Sequence, residues 1–476
     1  MKNQVLKRAI SFIDSWLRYR YERLEMPGFV VAIAHNGQVQ FSKAYGYANL
    51  EQREAMTTDH VFRIASHSKT FTATAIMQLA QENLLSIDDP VAKYVPWLGE
   101  HPDSRMKTIT VRQVMSHGAG IIRDGIDGNF WSLKHPFPDS ARFKSEFAQA
   151  DLILENNTQM KYSNIGYSLL GCLVEEVAGV PFNLYVEKKI LEPLSLSDTG
   201  PEFRKDVLPK MVTGYTRRDL EKQRLPITQE IDTGAMSAAT GFYSTAADMC
   251  TYFDAQFVKS GKLLQDDSKK EMQRTQWRLK NSPENQEYGL GFGIDYAGGR
   301  RLFGHGGGFP GQITRTFCDP KTKIVVVVLT NCIDGEAYAI GKGIWGVINH
   351  FETSAEAADP ASIGQLRKFE GRFMNLWRDV NIVESGKHLI ALDPNTWYPF
   401  GKDQPIEKLE CIDDCVLKIE STEGYRSEGE LVKYNFDDDD TVKSIRYAAS
   451  DMWTEAQYNK LLATTKSQRR LVALPV

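Results

Sequence analysis

The sequence predicts a large mixed α/β (α+β) domain followed by a small all-β domain. Three observations carry that prediction. Strand-like runs stand at both ends of a helical, loop-rich middle. A small, polar stretch broken by Pro360 interrupts the chain at 353–363. Beyond it, short apolar runs alternate with polar turns. Strands from both ends of one segment point to a single sheet with helices on its faces. Short runs at even spacing point to a barrel or sandwich. The 476 residues exceed one ordinary core, which supports the division. The expected boundaries are 1–352 for the large domain, 353–363 for the linker and 364–476 for the small domain.

Along the chain, Leu6, Ile10, Ile13, Leu17 and Leu24 recur at helical spacing and predict an amphipathic first helix. Phe29–Ala34 and Val39–Phe41 flank His35-Asn36-Gly37, the pattern of a hairpin. A helix is expected from Thr70 to about Asn83. The region from about 110 to 280 reads as helices and loops with Gly and Pro breaks, including helical patterns at 171–179 and 183–191. Strands return at 312–317 and 324–329, and a helix is expected over 337–351. In the last domain, Val380–Val383, Leu389–Leu392 and Val416–Ile419 read as strands. Asp437 to Asp440 reads as a solvated turn.

Composition narrows the function. Hydrophobic residues make up 42% and charged residues 25%, as in soluble globular proteins. A net charge of −4 argues against sequence-blind nucleic-acid binding, which needs a basic surface. No apolar run approaches the about 18 residues of a transmembrane helix, so no membrane partner is expected. The charged first 26 residues do not read as a signal peptide, and a cytoplasmic location is expected. The six cysteines lack metal-site spacing and read as free thiols.

The chemistry gathers at three places. Ser66-His67-Ser68-Lys69 stands where the strand-like Val61–Ala65 gives way to a helix. Residues i and i+3 share a helix face, so hydroxyl and amine meet at its N-terminus. That end favours a developing oxyanion and disfavours a charged lysine. A neutral lysine can take the proton of the serine and make it a nucleophile. The bland reading of Ser66 is a helix cap. A second Ser-x-x-Lys, Ser104 to Lys107, lies between Pro102 and a β-branched run and lacks the helix context.

Tyr162-Ser163-Asn164 supplies a phenol able to relay a proton and an amide able to hold a substrate and orient Lys69. A core tyrosine before a capping Asn would look the same, and Tyr47-Ala48-Asn49 repeats the pattern. His305-Gly306-Gly307-Gly308 sits at a strand edge, where missing side chains let another backbone approach. Gly306, Gly308 and Gly311 fit G-x-G-x-x-G, but Pro310 and the strand-like Gln312-Ile313-Thr314 exclude a dinucleotide loop. No G-x-S-x-G or H-E-x-x-H occurs.

With these stretches in place, the chain resembles the serine β-lactamase/penicillin-binding-protein superfamily, most closely its class C-like branch. That branch holds D,D-carboxypeptidases, D-aminopeptidases and family-VIII esterases. The resemblance covers about residues 25–350 and includes Thr110–His117 and Gly241–Asp248. It implies an antiparallel sheet flanked by helices. The region after 364 is loosely similar to the lipocalin-like barrels appended to some members.

By position the resemblance makes Ser66 the acyl-forming nucleophile, Lys69 its base and Tyr162 the proton shuttle. Asn164, His305, Gly306 and Gly307 would bind substrate. The backbone N–H groups of Ser66 and Gly308 would form the oxyanion hole. His305 replaces the lysine of many members, and Gly306 lacks the hydroxyl that often follows it. Both departures argue against a β-lactam or a C-terminal carboxylate as substrate.

The expectation is a hydrolase of amides or esters in small molecules or short peptides, of D-amino-acid peptidase or esterase type, with no cofactor and no metal. The alternatives are a penicillin-recognising β-lactamase or D,D-carboxypeptidase and a silent ligand-binding protein. The barrel is left three roles: capping the active site, mediating homo-oligomers, or holding a lipid-like ligand.

Overall fold

Ile324–Thr330 is buried at every position and is an interior strand of a nine-stranded antiparallel sheet. A strand covered on both faces needs no polar alternation, and Ile-Val-Val-Val-Val-Leu-Thr has none until its end. The computed structural model describes residues 3–280, 282, 285–356, 364, 366–420 and 427–467. By compactness these fall into two units, residues 25–341 and residues 1–24 with 342–476.

In the first unit, β1 (Gly28–His35) and β2 (Gln38–Asn49) form the predicted hairpin. Asn36 and Gly37 both take positive φ at its turn, at 51° and 75°. That is the geometry which favours Asn-Gly there. From the other end come β3 (Gly293–Ala297), β4 (Arg300–Phe309), β5 (Gln312–Asp319) and β6 (Ile324–Thr330). The two ends meet where β1 pairs with β6, Ile33 facing Val326. The expectation of one sheet closed from both ends is met.

Helix α1 (Asn3–Arg23) opens the chain, and α2 (Ser68–Gln81) lies in the first unit. α2 is buried on nearly every face. Its threonines survive burial because each hydroxyl finds a carbonyl: Thr70 donates to His67, Thr72 to Ala238 and Thr74 to Thr70. α3 (Asn164–Ala178) follows Ser163, whose side chain caps it by accepting from Gly166 N–H. Helices at 164–178 and from Phe182 on match the expected patterns, each starting at or before its predicted first residue.

The second unit differs from the linear boundaries expected at 352 and 364. α1 groups with the barrel, and α4 (Ala337–Glu356) passes from one unit to the other at residue 342. Specific contacts explain the grouping. Arg8 bonds Glu370 at 2.6 Å and Glu384 at 2.8 Å. Trp16 Nε1 donates to Thr396 O at 3.0 Å, and Arg372 reaches the Ser15 carbonyl at 3.0 Å. Helical periodicity identifies the apolar face of α1 but not its partner. Residues 353–356 of the expected linker continue α4, and 357–363 lie outside the described residues.

The barrel closes with eight strands, from Gly371–Met374 to Ser450–Thr454. Phe369, Phe373, Leu389, Leu417, Tyr434 and Met452 are among the side chains that fill its core. Eight strands enclose a narrow interior, one that side chains fill or that holds a single small ligand. The aspartate run forms the turn between Leu431–Phe436 and Val442–Tyr447, as expected. Among the described residues, no three His, Cys, Asp or Glu gather as a metal group. No single described helix is long and apolar enough to cross a membrane.

Candidate active site

Ser66 lies in a short turn of helix, Ala65–His67, that runs directly into α2. Ala65 takes φ of 48°, a left-handed conformation that costs a non-glycine residue about 1 kcal/mol. That bend sets Ser66 at the point where strand-like backbone turns into helix. Ser68 Oγ secures the turn by donating to Ala65 O at 2.6 Å and accepting from Phe242 N–H at 3.1 Å.

Lys69 is completely buried. Its Nζ lies 3.2 Å from Ser66 Oγ, 2.8 Å from Asn164 Oδ1 and 2.8 Å from Ala239 O. An ammonium would donate to all three. Burial, then the nearby Arg123 charge, pushes Lys69 well below the ordinary lysine range, with Asp124 acting the other way. The neutral amine keeps two N–H donors for the two shorter contacts. Its lone pair is then left for the Ser66 hydroxyl, so it can accept that proton.

Tyr162 stands over the same pair, with Lys69 Nζ 4.9 Å from its ring centroid. Burial pushes its phenol up to about 12, against the opposing pull of its Ser66 hydrogen bond and of Arg123. It therefore holds its proton at neutral pH and can give it away. Asn164 is held from behind: its Nδ2 donates to Asp124 Oδ1 at 2.6 Å, which aims its Oδ1 at Lys69. Asp124 Oδ1 also accepts from Trp131 Nε1 at 2.9 Å.

The glycine strand β4 packs its Gly307 against the carbonyl of Ile64, just before Ser66. Gly308 is exposed at the strand edge. His305 differs from its expected role. It is 6% exposed, its Nδ1–H donates to Gly306 O at 2.6 Å, and its Nε2 accepts from Tyr288 OH at 3.1 Å. Both ring nitrogens are engaged inside the protein, so the ring forms the wall behind the site, not its surface. Burial also holds it well below the ordinary histidine range, so it is neutral. His67, beside Ser66, likewise turns inward to Ile64 O and Thr316 Oγ1, and burial lowers it to about 3.

Thus Ser66, Lys69, Tyr162, Asn164 and the glycine strand converge as predicted, and His305 lies behind them. Arg123, Asp124, His117 and Ala239 were missed. Ala239 contributes a backbone carbonyl, to which no residue type is a guide. His117 packs against Tyr162 with ring centroids 4.2 Å apart and the planes tilted by 38°. Its one sequence sign was its place at the end of the Thr110–His117 stretch.

The family model Beta-lactamase matches residues 13–342. Protein flp of Staphylococcus aureus (strain COL) is 29% identical over 189 residues, which are 40% of this chain and 37% of that protein. The chain thus matches little more than a third of that relative's length. A D-stereospecific amidohydrolase from Streptomyces sp. is 25% identical, with a TM-score of 0.56, over 68% of this chain and 94% of that one. The octameric penicillin-binding protein homologue from Pyrococcus abyssi shares the fold, with a TM-score of 0.62 and 23% identity over 93% of this chain and 99% of that one.

Proposed function

The chain belongs to the Beta-lactamase family, and from that premise we propose that it is a serine hydrolase working through an acyl-enzyme on Ser66. The observation that carries the reading is the contact of Ser66 Oγ with a buried Lys69 Nζ, itself held by Asn164 and Ala239.

Ser66 Oγ attacks an ester or amide carbonyl while its proton passes to Lys69. The oxyanion forms at the start of the helix, toward the N–H groups of Ser66 and Gly308. Tyr162 gives its proton to the leaving group as the C–O or C–N bond breaks, and recovers one from Lys69. Water then releases the acyl group by the reverse relay. The substrates are small amides or esters of the D-amino-acid peptidase or esterase type. The likeness to a D-stereospecific amidohydrolase supports the amide branch. A neutral, buried His305 and the missing hydroxyl at Gly306 speak against a penicillin as the natural substrate.

Intact-mass spectrometry after treatment with a fluorophosphonate, followed by peptide mapping, tests the reading. One adduct on Ser66 is expected. A folded sample that accepts none would favour a ligand-binding protein. Penicillin in a parallel sample reports β-lactam recognition.

Replacing Tyr162 separates its role from that of the nucleophile. Tyr162→Phe is expected to lower kcat about 10²- to 10³-fold on an anilide. On a p-nitrophenyl ester, whose leaving group needs no proton, the loss should be several-fold at most. Equal losses on both would mean that Tyr162 does not protonate the leaving group.

A further inference from the structure

The site contains a cation that the acyl-transfer chemistry does not use. Arg123 lies one residue before Asp124, and its guanidinium carbon stands 4.9 Å from the centroid of the Tyr162 ring. Its side chain is 58% exposed. Its Nε reaches Asp124 Oδ2 at 3.3 Å, and among the described residues its two terminal nitrogens have no partner. Asp124 is itself occupied by Asn164 and Trp131, so it faces Arg123 with one oxygen only.

Two other cations near the site, Lys69 and Arg315, are committed. All contacts of Lys69 lie inside the protein. Arg315 is paired with Asp295 and its side chain is 14% exposed. A free guanidinium edge presents two parallel N–H donors, which match a carboxylate. The leaving atom must come within hydrogen-bond reach of Tyr162, and Arg123 covers a face of that same ring. The stretch of β4 that reaches the site, His305 to Gly308, carries no charge of its own.

We propose that Arg123 is a specificity-determining residue that holds a carboxylate carried by the leaving group of the substrate. The inference rests on the acyl-transfer reading above and narrows its substrate class to esters or amides with an anionic leaving part. The anion is then held from the loop of Arg123, on the Tyr162 side, and not by the glycine strand.

Two matched esters test it: the butyrate ester of 4-hydroxybenzoate, with a free carboxylate on the leaving group, and the same ester with that carboxylate methylated. kcat/KM is measured for both on wild type, Arg123→Lys and Arg123→Gln. Arg123 also acts on Lys69 through its charge, so any factor common to both esters is divided out. The ratio of anionic to neutral ester should fall about 10- to 100-fold in Arg123→Gln, mostly through KM, and recover in part in Arg123→Lys. An unchanged ratio overturns the proposal. So does failure of wild type to turn over the anionic ester while a fluorophosphonate labels Ser66. A folded wild type that no fluorophosphonate labels overturns the acyl-transfer reading, and this inference with it.

Discussion

Lys69→Met is expected to lower kcat/KM about 10³- to 10⁴-fold and, at neutral pH, to make the protein more stable. The first effect follows from the loss of the one base in contact with Ser66 Oγ. The second follows from linkage. Burial holds Lys69 well below its ordinary value of 10.5. Between that lowered value and the unfolded one, the unfolded chain binds a proton that the folded chain lacks. Wild-type stability therefore rises with pH through this window, by at most about 1.4 kcal/mol per pH unit from this group.

Methionine fills nearly the same volume and carries no proton, so this contribution to the slope vanishes. The variant should gain most at the acid side of the window and nothing once the pH exceeds the unfolded value. Urea unfolding of both proteins from pH 6 to 10, compared as a difference, checks the sign. A stability difference that does not change with pH would show that Lys69 sits charged in the folded protein, because the hydrogen bonds that methionine withdraws from Asn164 Oδ1 and Ala239 O give only a constant offset. The acyl-transfer reading would then need another base.

The activity half of the prediction was legible in the sequence, because Ser66 and Lys69 are three residues apart and helix geometry alone brings them together. Tyr162 was legible by motif, and Asn164 with it. What makes Lys69 a base was not legible. Its burial depends on residues near 164 and 239, and the arrangement of Asn164 depends on Asp124. These contacts cross the fold, and no spacing encodes them. α1 teaches the same lesson at larger scale. Its apolar stripe was plain, but its burial against residues 370–400 is a tertiary choice that periodicity cannot express. For His305, a polar residue at a strand edge looked available to substrate. Tyr288, seventeen places earlier, captures one of its ring nitrogens and the neighbouring carbonyl takes the other.

The glycine strand gives the second large effect, and it separates packing from binding within four residues. A Cβ on Gly307 would press into the Ile64 carbonyl oxygen and the Thr314 hydroxyl. Ile64 is backbone and directly precedes Ala65 and Ser66, so it cannot rotate away as a side chain would. Either β4 or the Ser66 turn must move. Overpacking of this kind costs about 1–3 kcal/mol, and a 1 Å displacement of a reacting group costs about 10²-fold in rate. Gly307→Ala should therefore lower the unfolding midpoint and slow fluorophosphonate labelling of Ser66 at least 10²-fold. Gly308→Ala is the matched comparison. Its new methyl would meet nothing closer than Ile313 Cδ1 at 3.6 Å, on an exposed edge. Its stability should stay within about 0.5 kcal/mol of wild type. If Gly307→Ala labels at the wild-type rate with an unchanged midpoint, the close packing of β4 on the Ser66 turn is not what holds the nucleophile in place. The glycines would then matter only for the approach of substrate, and the larger loss should fall on Gly308→Ala instead.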